Sequence, residues 1–294
     1  MLSGVGIICF VASYAVALVF DLLRLVFRSN LCRIAVIGWL VAGLAAHTAY
    51  LVYRPLAHPD RFIGDEQSFF LVAAWGLVPI CLYLSCRRKE IPFGLFFLPI
   101  ILLLIGLGTQ NAPAMPLSAP PTVAVAPLWR TLHVASFLLA FLFLAIAGIA
   151  GLMYIEQDRL LKGKRNPAVA TPLPSLEWSG NVARDAIILA QYALIFGVST
   201  GLALGLSMAR TGLSNPLAVT DPLMLGGLAL CVAVSVIVLS PLWHRLIGRR
   251  RAFVSLIFFL TLLLILFIAV ISPRAHWKPP VAAPSAEQHT EAEP

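Results

Sequence analysis

Residues 129–164 read WRTLHVASFLLAFLFLAIAGIAGLMYIEQDRLLKGK. Between Arg130 and Glu156 there is no Asp, Glu, Lys or Arg, and the run exceeds the roughly 20 apolar residues that a helix needs to cross about 30 Å of hydrocarbon. No alternation of apolar and polar residues marks a barrel strand, and backbone groups in lipid must be paired within their own segment. The run therefore predicts a transmembrane helix over about 130–154. Its two ends differ in character. Trp129, Arg130 and His133 open it, whereas Glu156, Asp158, Arg159, Lys162 and Lys164 follow it.

Seven further runs repeat the pattern, at about 2–22, 33–53, 67–86, 91–109, 184–209, 222–243 and 252–272. With 60% hydrophobic and 12% charged residues among its 294, the chain departs from soluble domains, in which about a quarter of residues are charged. The expected fold class is all-α: a polytopic transmembrane helical bundle of about eight spans. The first run has neither a basic n-region nor a small-residue cleavage site before it, so it is read as a retained helix. Residues 1–276 form the predicted helical domain, and 277–294 a Pro-, Ala- and Glu-rich tail expected to be disordered.

Lys and Arg set the orientation. The first connection carries Arg24, Arg28 and Arg33, the third Arg87, Arg88 and Lys89, the fifth Arg159 to Arg184, and the seventh Arg245 to Arg251. Together these hold 15 of the 21 basic residues. The bias recurs at every loop and predicts both termini outside. The net charge of +8 is thus a topology signal and not a nucleic-acid footprint. None of the five cysteines forms a C-x-x-C pair, and there is no C-x-x-C-H, which excludes covalent c-type haem on this chain.

No P-loop, H-E-x-x-H or G-x-S-x-G is present. Asp21 and Asp221 stand near span ends, so no carboxylate pair within the spans supports proton-coupled transport. Gly197, Gly201 and Gly205 fall four residues apart and predict close helix packing. The informative polar residues are histidines. His47 lies about 9 Å inside the end of its span, where an ionisable group is a functional-site hypothesis. The alternative is an imidazole bonded to a neighbouring helix. His133 shares a helix face with Trp129, and His276 adjoins Trp277 on the same predicted side, with Arg130, Arg274 and Lys278 nearby. Imidazole ligates iron, aromatic rings stack on a flat macrocycle, and arginine pairs with carboxylates. The set suits haem between two histidines, although Trp, Arg and His also make an ordinary interfacial belt. His58, His244 and His289 are read as solvated, part of the basic cluster, and unassigned, respectively.

The order of these motifs resembles the cytochrome c assembly family, the CcsA/HemX-like haem-handling membrane proteins. GLAAHTAYLVYR at 43–54 and EQSFFLVAAWGLVPICLYL at 66–84 are similar to its early helix pair. The quoted 129–164 stretch resembles its W-x-x-L-H-V helix and the charged segment that ends it. LPSLEW at 173–178 resembles the family's L-P-x-L-E, and WHRLIGRRRAFVSLIFFL at 243–260 its last helix pair. The resemblance covers about residues 40–276.

It implies a haem-handling integral component of cytochrome c biogenesis in the bacterial inner (plasma) membrane. Haem b would be bound non-covalently, with His133 and His276 as outward axial ligands, Trp129 and Arg130 beside them, and His47 as the membrane site. The implied partners are the lipid bilayer, apocytochrome c and a second membrane subunit of the haem-attachment complex, with no nucleic acid. Any enzymatic role would be as part of that synthase complex. One departure bears on this reading. Haem-presenting members carry a tryptophan-rich outer segment ending in W-D-P, where this chain has RTGLSNPLAVTDP at 210–222. The alternative is a HemX-like regulatory or scaffold protein that has lost haem presentation, and a weaker third reading is a small-molecule transporter.

Overall fold

The structure is a computed structural model that describes residues 6–27, 30–57, 66–110, 126–163, 173–210 and 222–271, apart from 241–242, 244–245 and 247. Among the described residues there are eight long helices and no strand. They are α1 (Ile7–Phe27), α2 (Asn30–Ala57), α3 (Glu66–Arg87), α4 (Gly94–Gln110), α5 (Ala126–Lys162), α6 (Leu176–Arg210), α7 (Pro222–Leu239) and α8 (Arg249–Ile271). Six of them, α1, α2, α3, α5, α6 and α8, are long and apolar enough to cross a membrane. By length and composition the chain is an integral membrane protein. The two remaining apolar helices are shorter, over Gly94–Thr109 and Leu225–Leu239.

Each of the eight apolar runs coincides with one helix, but several boundaries move. Helix α4 starts at Gly94 because a turn occupies the residues before it, closed by Ile91 N–H to Arg88 O and Phe93 N–H to Ile91 O. Pro92 has no N–H with which to extend a helix backwards. Helix α5 runs on to Lys162 through the charged segment. There Glu156 pairs with Arg159 at 2.6 Å and Asp158 with Lys162 at 2.8 Å, each acid one turn ahead of its base, the favourable order on a helix. Helix α6 starts at Leu176, earlier than its apolar run, because Ser175 Oγ accepts the Trp178 N–H at the first turn.

The helices pack as two groups. Helices α1 to α4 close on one another around a core that includes Phe10, Tyr14, Leu40, Leu77, Phe97 and Ile101. Helices α5 to α8 enclose a second core, with Leu144, Ile187, Leu194, Val234 and Phe258. Helices α5 and α8 serve both, lending Phe141, Ile149 and Phe259 to the first core. Small residues permit the closest approaches. A Cβ on Gly148 would stand 2.5 Å from Phe259, and one on Gly151 would stand 2.7 Å from the Ala252 carbonyl oxygen. Many large apolar side chains face outward, among them Ile8, Val26, Ile34, Tyr192, Leu202 and Val236. An apolar surface of that extent is incompatible with water and suits contact with lipid.

The basic connections meet at one end of the bundle. Asp21, on α1, is buried and pairs with Arg24 at 2.9 Å, while Arg24 Nη2 donates to the Lys89 carbonyl at 2.8 Å. Asp21 also lies against Gly94, where a Cβ would come within 2.5 Å of Oδ2. A carboxylate at the first turn of α4 meets the positive end of the helix dipole. Across the group boundary, Trp178 on α6 lies under the Arg88 guanidinium at 5.0 Å and edge-on to Phe93 at 6.3 Å.

Candidate functional site

Two of the histidines singled out by sequence lie among the described residues, one in each helix group. His133 sits in the third turn of α5. Its Nδ1 is 2.8 Å from the carbonyl oxygen of Gly197 on α6, and Phe137 packs edge-on at 4.9 Å. The ring occupies space left by Gly201, where a Cβ would lie 2.6 Å from Cε1 and 2.8 Å from Nδ1. The Gly197 carbonyl also accepts from Thr200 Oγ1 at 2.9 Å.

This geometry fixes the tautomer of His133. A carbonyl oxygen can only accept, so the short contact places a proton on Nδ1, and in the neutral ring the lone pair is then on Nε2. That is the arrangement of a metal-ligating histidine, which donates its other ring N–H to a carbonyl or carboxylate that orients it. A neutral ring oriented in this way and half-buried would suit a ligand to haem iron. Trp129, also half-buried, stands one turn before His133 on α5. The backbone of Arg130 lies in the same helix, and its side chain lies outside the described residues.

His47, on α2, is fully buried. Its ring stacks on Phe10 of α1, with centroids 4.2 Å apart and planes 3° from parallel. Its Nδ1 is 3.3 Å from Tyr14 Oη, and its Nε2 is buried with no hydrogen-bond partner among the described residues. Tyr14 is drawn close because Gly43, one turn before His47, has no Cβ; one placed there would be 2.5 Å from Tyr14 Cε1. On the next turn position Thr48 receives the Trp75 indole N–H at 2.9 Å and donates to the Leu44 carbonyl at 2.7 Å. Trp75, on α3, thus anchors α3 to α2 beside His47. The orphaned Nε2 fits a ligand nitrogen, in an apolar setting.

His58, His244, His276 and His289, together with Arg274, Lys278, residues 211–221 of the 210–222 connection and the 277–294 tail, lie outside the described residues. Among the described residues no three His, Cys, Asp or Glu side chains converge on one point, and all five cysteines are free thiols. A cavity of about 250 Å³ is lined by Tyr154, Gly180, Asn181, Gly248 and Arg251, among others. Tyr154 is 21 residues along α5 from His133, about 30 Å of helix, so the cavity belongs to the opposite end of the bundle.

Sequence reasoning found His47 and His133 as polar residues in apolar runs, but not Phe10, Tyr14 or the Gly197 carbonyl. The row of glycines from Gly197 was the available signal for a histidine pocket, since Gly197 and Gly201 receive Phe137 and His133.

No protein-family model matches the chain, and no solved structure does. It is similar to the uncharacterized 28.8 kDa protein in the nifR3-like 5' region of Azospirillum brasilense, with 25% identity over 203 residues, covering 67% of this chain and 72% of that protein.

Proposed function

We propose that this protein is a haem-handling component of cytochrome c biogenesis in a bacterial inner membrane, spanning it eight times with both termini outside. The observation that carries the reading is the His133 ring, oriented through Nδ1 by the Gly197 carbonyl at 2.8 Å. His133 and His276 would hold the haem at the outer side, with Trp129 as a stacking face and Arg130 as a partner for a propionate. When bound, haem b supplies the vinyl groups to which the thiols of apocytochrome c add. The chain's residues contribute position: they hold the macrocycle at the outer surface, where the substrate thiols and a second membrane subunit can reach it. The membrane histidine, His47, is a second haem contact within the bundle.

A second reading is favoured by one feature, the tryptophan-free 210–222 connection. A protein without those rings would act as a HemX-like regulator or scaffold that keeps the helices and not haem presentation. The two separate in a host whose cytochrome c maturation depends on this protein. The haem-handling reading expects His133→Ala and His276→Ala each to abolish holocytochrome c while the variant still accumulates in the membrane. Unimpaired maturation in both variants overturns it.

A further inference from the structure

His47 and His133 present their Nδ1 atoms to partners of different chemistry. The partner of His133 is a carbonyl, which only accepts. The partner of His47 is a phenolic hydroxyl, which can donate or accept. We infer that Tyr14 holds His47 in the tautomer that cannot bind a metal, so that His47 is a gated ligand where His133 is a constitutive one.

In this closed apolar space the direction of the single hydrogen bond sets the tautomer. A neutral imidazole and a neutral phenol bring two polar hydrogens to the pair, and one hydrogen bond joins them. If Nδ1–H donates to Tyr14, the phenolic hydrogen is left without an acceptor and the Nε2 lone pair without a donor. If Tyr14 O–H donates to Nδ1, the Nε2–H is left without an acceptor and the phenolic oxygen without a donor. The two directions leave equal numbers of unmatched groups, so bond strength decides: phenol is the stronger acid and imidazole the stronger base, and the bond is better in the second direction. Buried unmatched polar groups are costly, and Phe10, stacked flat on the imidazole, offers no acceptor in the ring plane. The resting proton therefore sits on Nε2, the nitrogen that has no hydrogen-bond partner among the described residues, and Nε2 has no lone pair to give.

Binding at Nε2 requires the tautomer to change. Nε2 gives up its proton and Nδ1 gains one, so the imidazole stays neutral, and Tyr14 also stays neutral with its hydroxyl hydrogen turned away, its oxygen now accepting from Nδ1. Tyr14 is thus a positioning residue, and it deepens the haem reading of His47 proposed above.

Nitrogen-15 NMR of the full-length protein, labelled at histidine and kept free of haem in lipid nanodiscs, tests this. The resonances are assigned by His47→Gln and His133→Gln. The expected spectrum of the unsubstituted protein shows opposite tautomers: the proton on Nε2 in His47 and on Nδ1 in His133. Tyr14→Phe is expected to move His47 toward the Nδ1–H form or a mixture of the two while His133 keeps its pattern, which also reports that the variant is folded. The same tautomer at both histidines in the unsubstituted protein overturns the inference without recourse to any variant, as does a His47 pattern untouched by Tyr14→Phe. Because no haem is present, failure of the haem reading leaves this result standing, and the reverse also holds.

Discussion

The imidazole of His133 and the carbonyl of Gly197 meet at 2.8 Å across the α5–α6 interface. The contact depends on the missing side chain of Gly201, one turn further along α6, whose Cβ would enter the imidazole ring.

Gly201→Ala should therefore displace His133 without removing it. Overpacking of this kind costs about 1–3 kcal/mol, and the expected outcome is a modest fall in melting temperature with a large loss of bound haem. Thermal unfolding and the Soret absorbance of the same detergent preparation check both. Full haem retention would show that the ring does not need this position.

At the basic end, Asp21 and Arg24 are both sequestered, with side chains 1% and 11% exposed. Breaking a buried pair by removing one partner costs about 3–5 kcal/mol, because the other charge is left uncompensated. Asp21→Ala and Arg24→Ala should each lower thermal stability strongly, and the double variant should lose less than the sum. Additive losses in this cycle would mean that the two side chains act independently.

Trp178 joins the two helix groups through Arg88 and Phe93. Trp178→Ala removes a large, half-buried contact surface and should cost less than the loss of a fully buried tryptophan, about 3–5 kcal/mol. Limited proteolysis should then cut the turn at residues 88–93 faster than in the unsubstituted protein, with cleavage elsewhere unchanged.

Most of the helix positions were legible in the sequence, because an apolar run of membrane length has one way to pair its backbone. The ends were less so. Helices α5 and α6 continue past their apolar stretches on the strength of the Asp158–Lys162 pair and the Ser175 cap, local interactions that hydropathy does not register. At the candidate site, His47 and His133 stood out as lone polar residues, whereas their partners did not. Tyr14 lies 33 residues from His47, and Gly197 lies 64 from His133. Which helices are neighbours is a property of the packed bundle, and no periodicity within one span encodes it.

The orientation proposed from the arginine bias has its own check. In intact cells, a membrane-impermeant thiol reagent should label Ser118→Cys and Ser285→Cys, each placed in a cysteine-free background. The native Cys86, which is exposed at the end of α3, should react only after the membrane is permeabilised. Labelling of Cys86 in intact cells would reverse the topology.

The absorption spectrum of the protein, purified in mild detergent from a haem-sufficient host together with its natural partner, tests the central claim most directly. It would be read with a pyridine haemochrome assay beside the His47→Ala, His133→Ala and His276→Ala variants. The account predicts a Soret band that is lost or shifted in the His133 and His276 variants. A folded preparation with no haem above background would contradict it and leave the regulatory scaffold as the better reading.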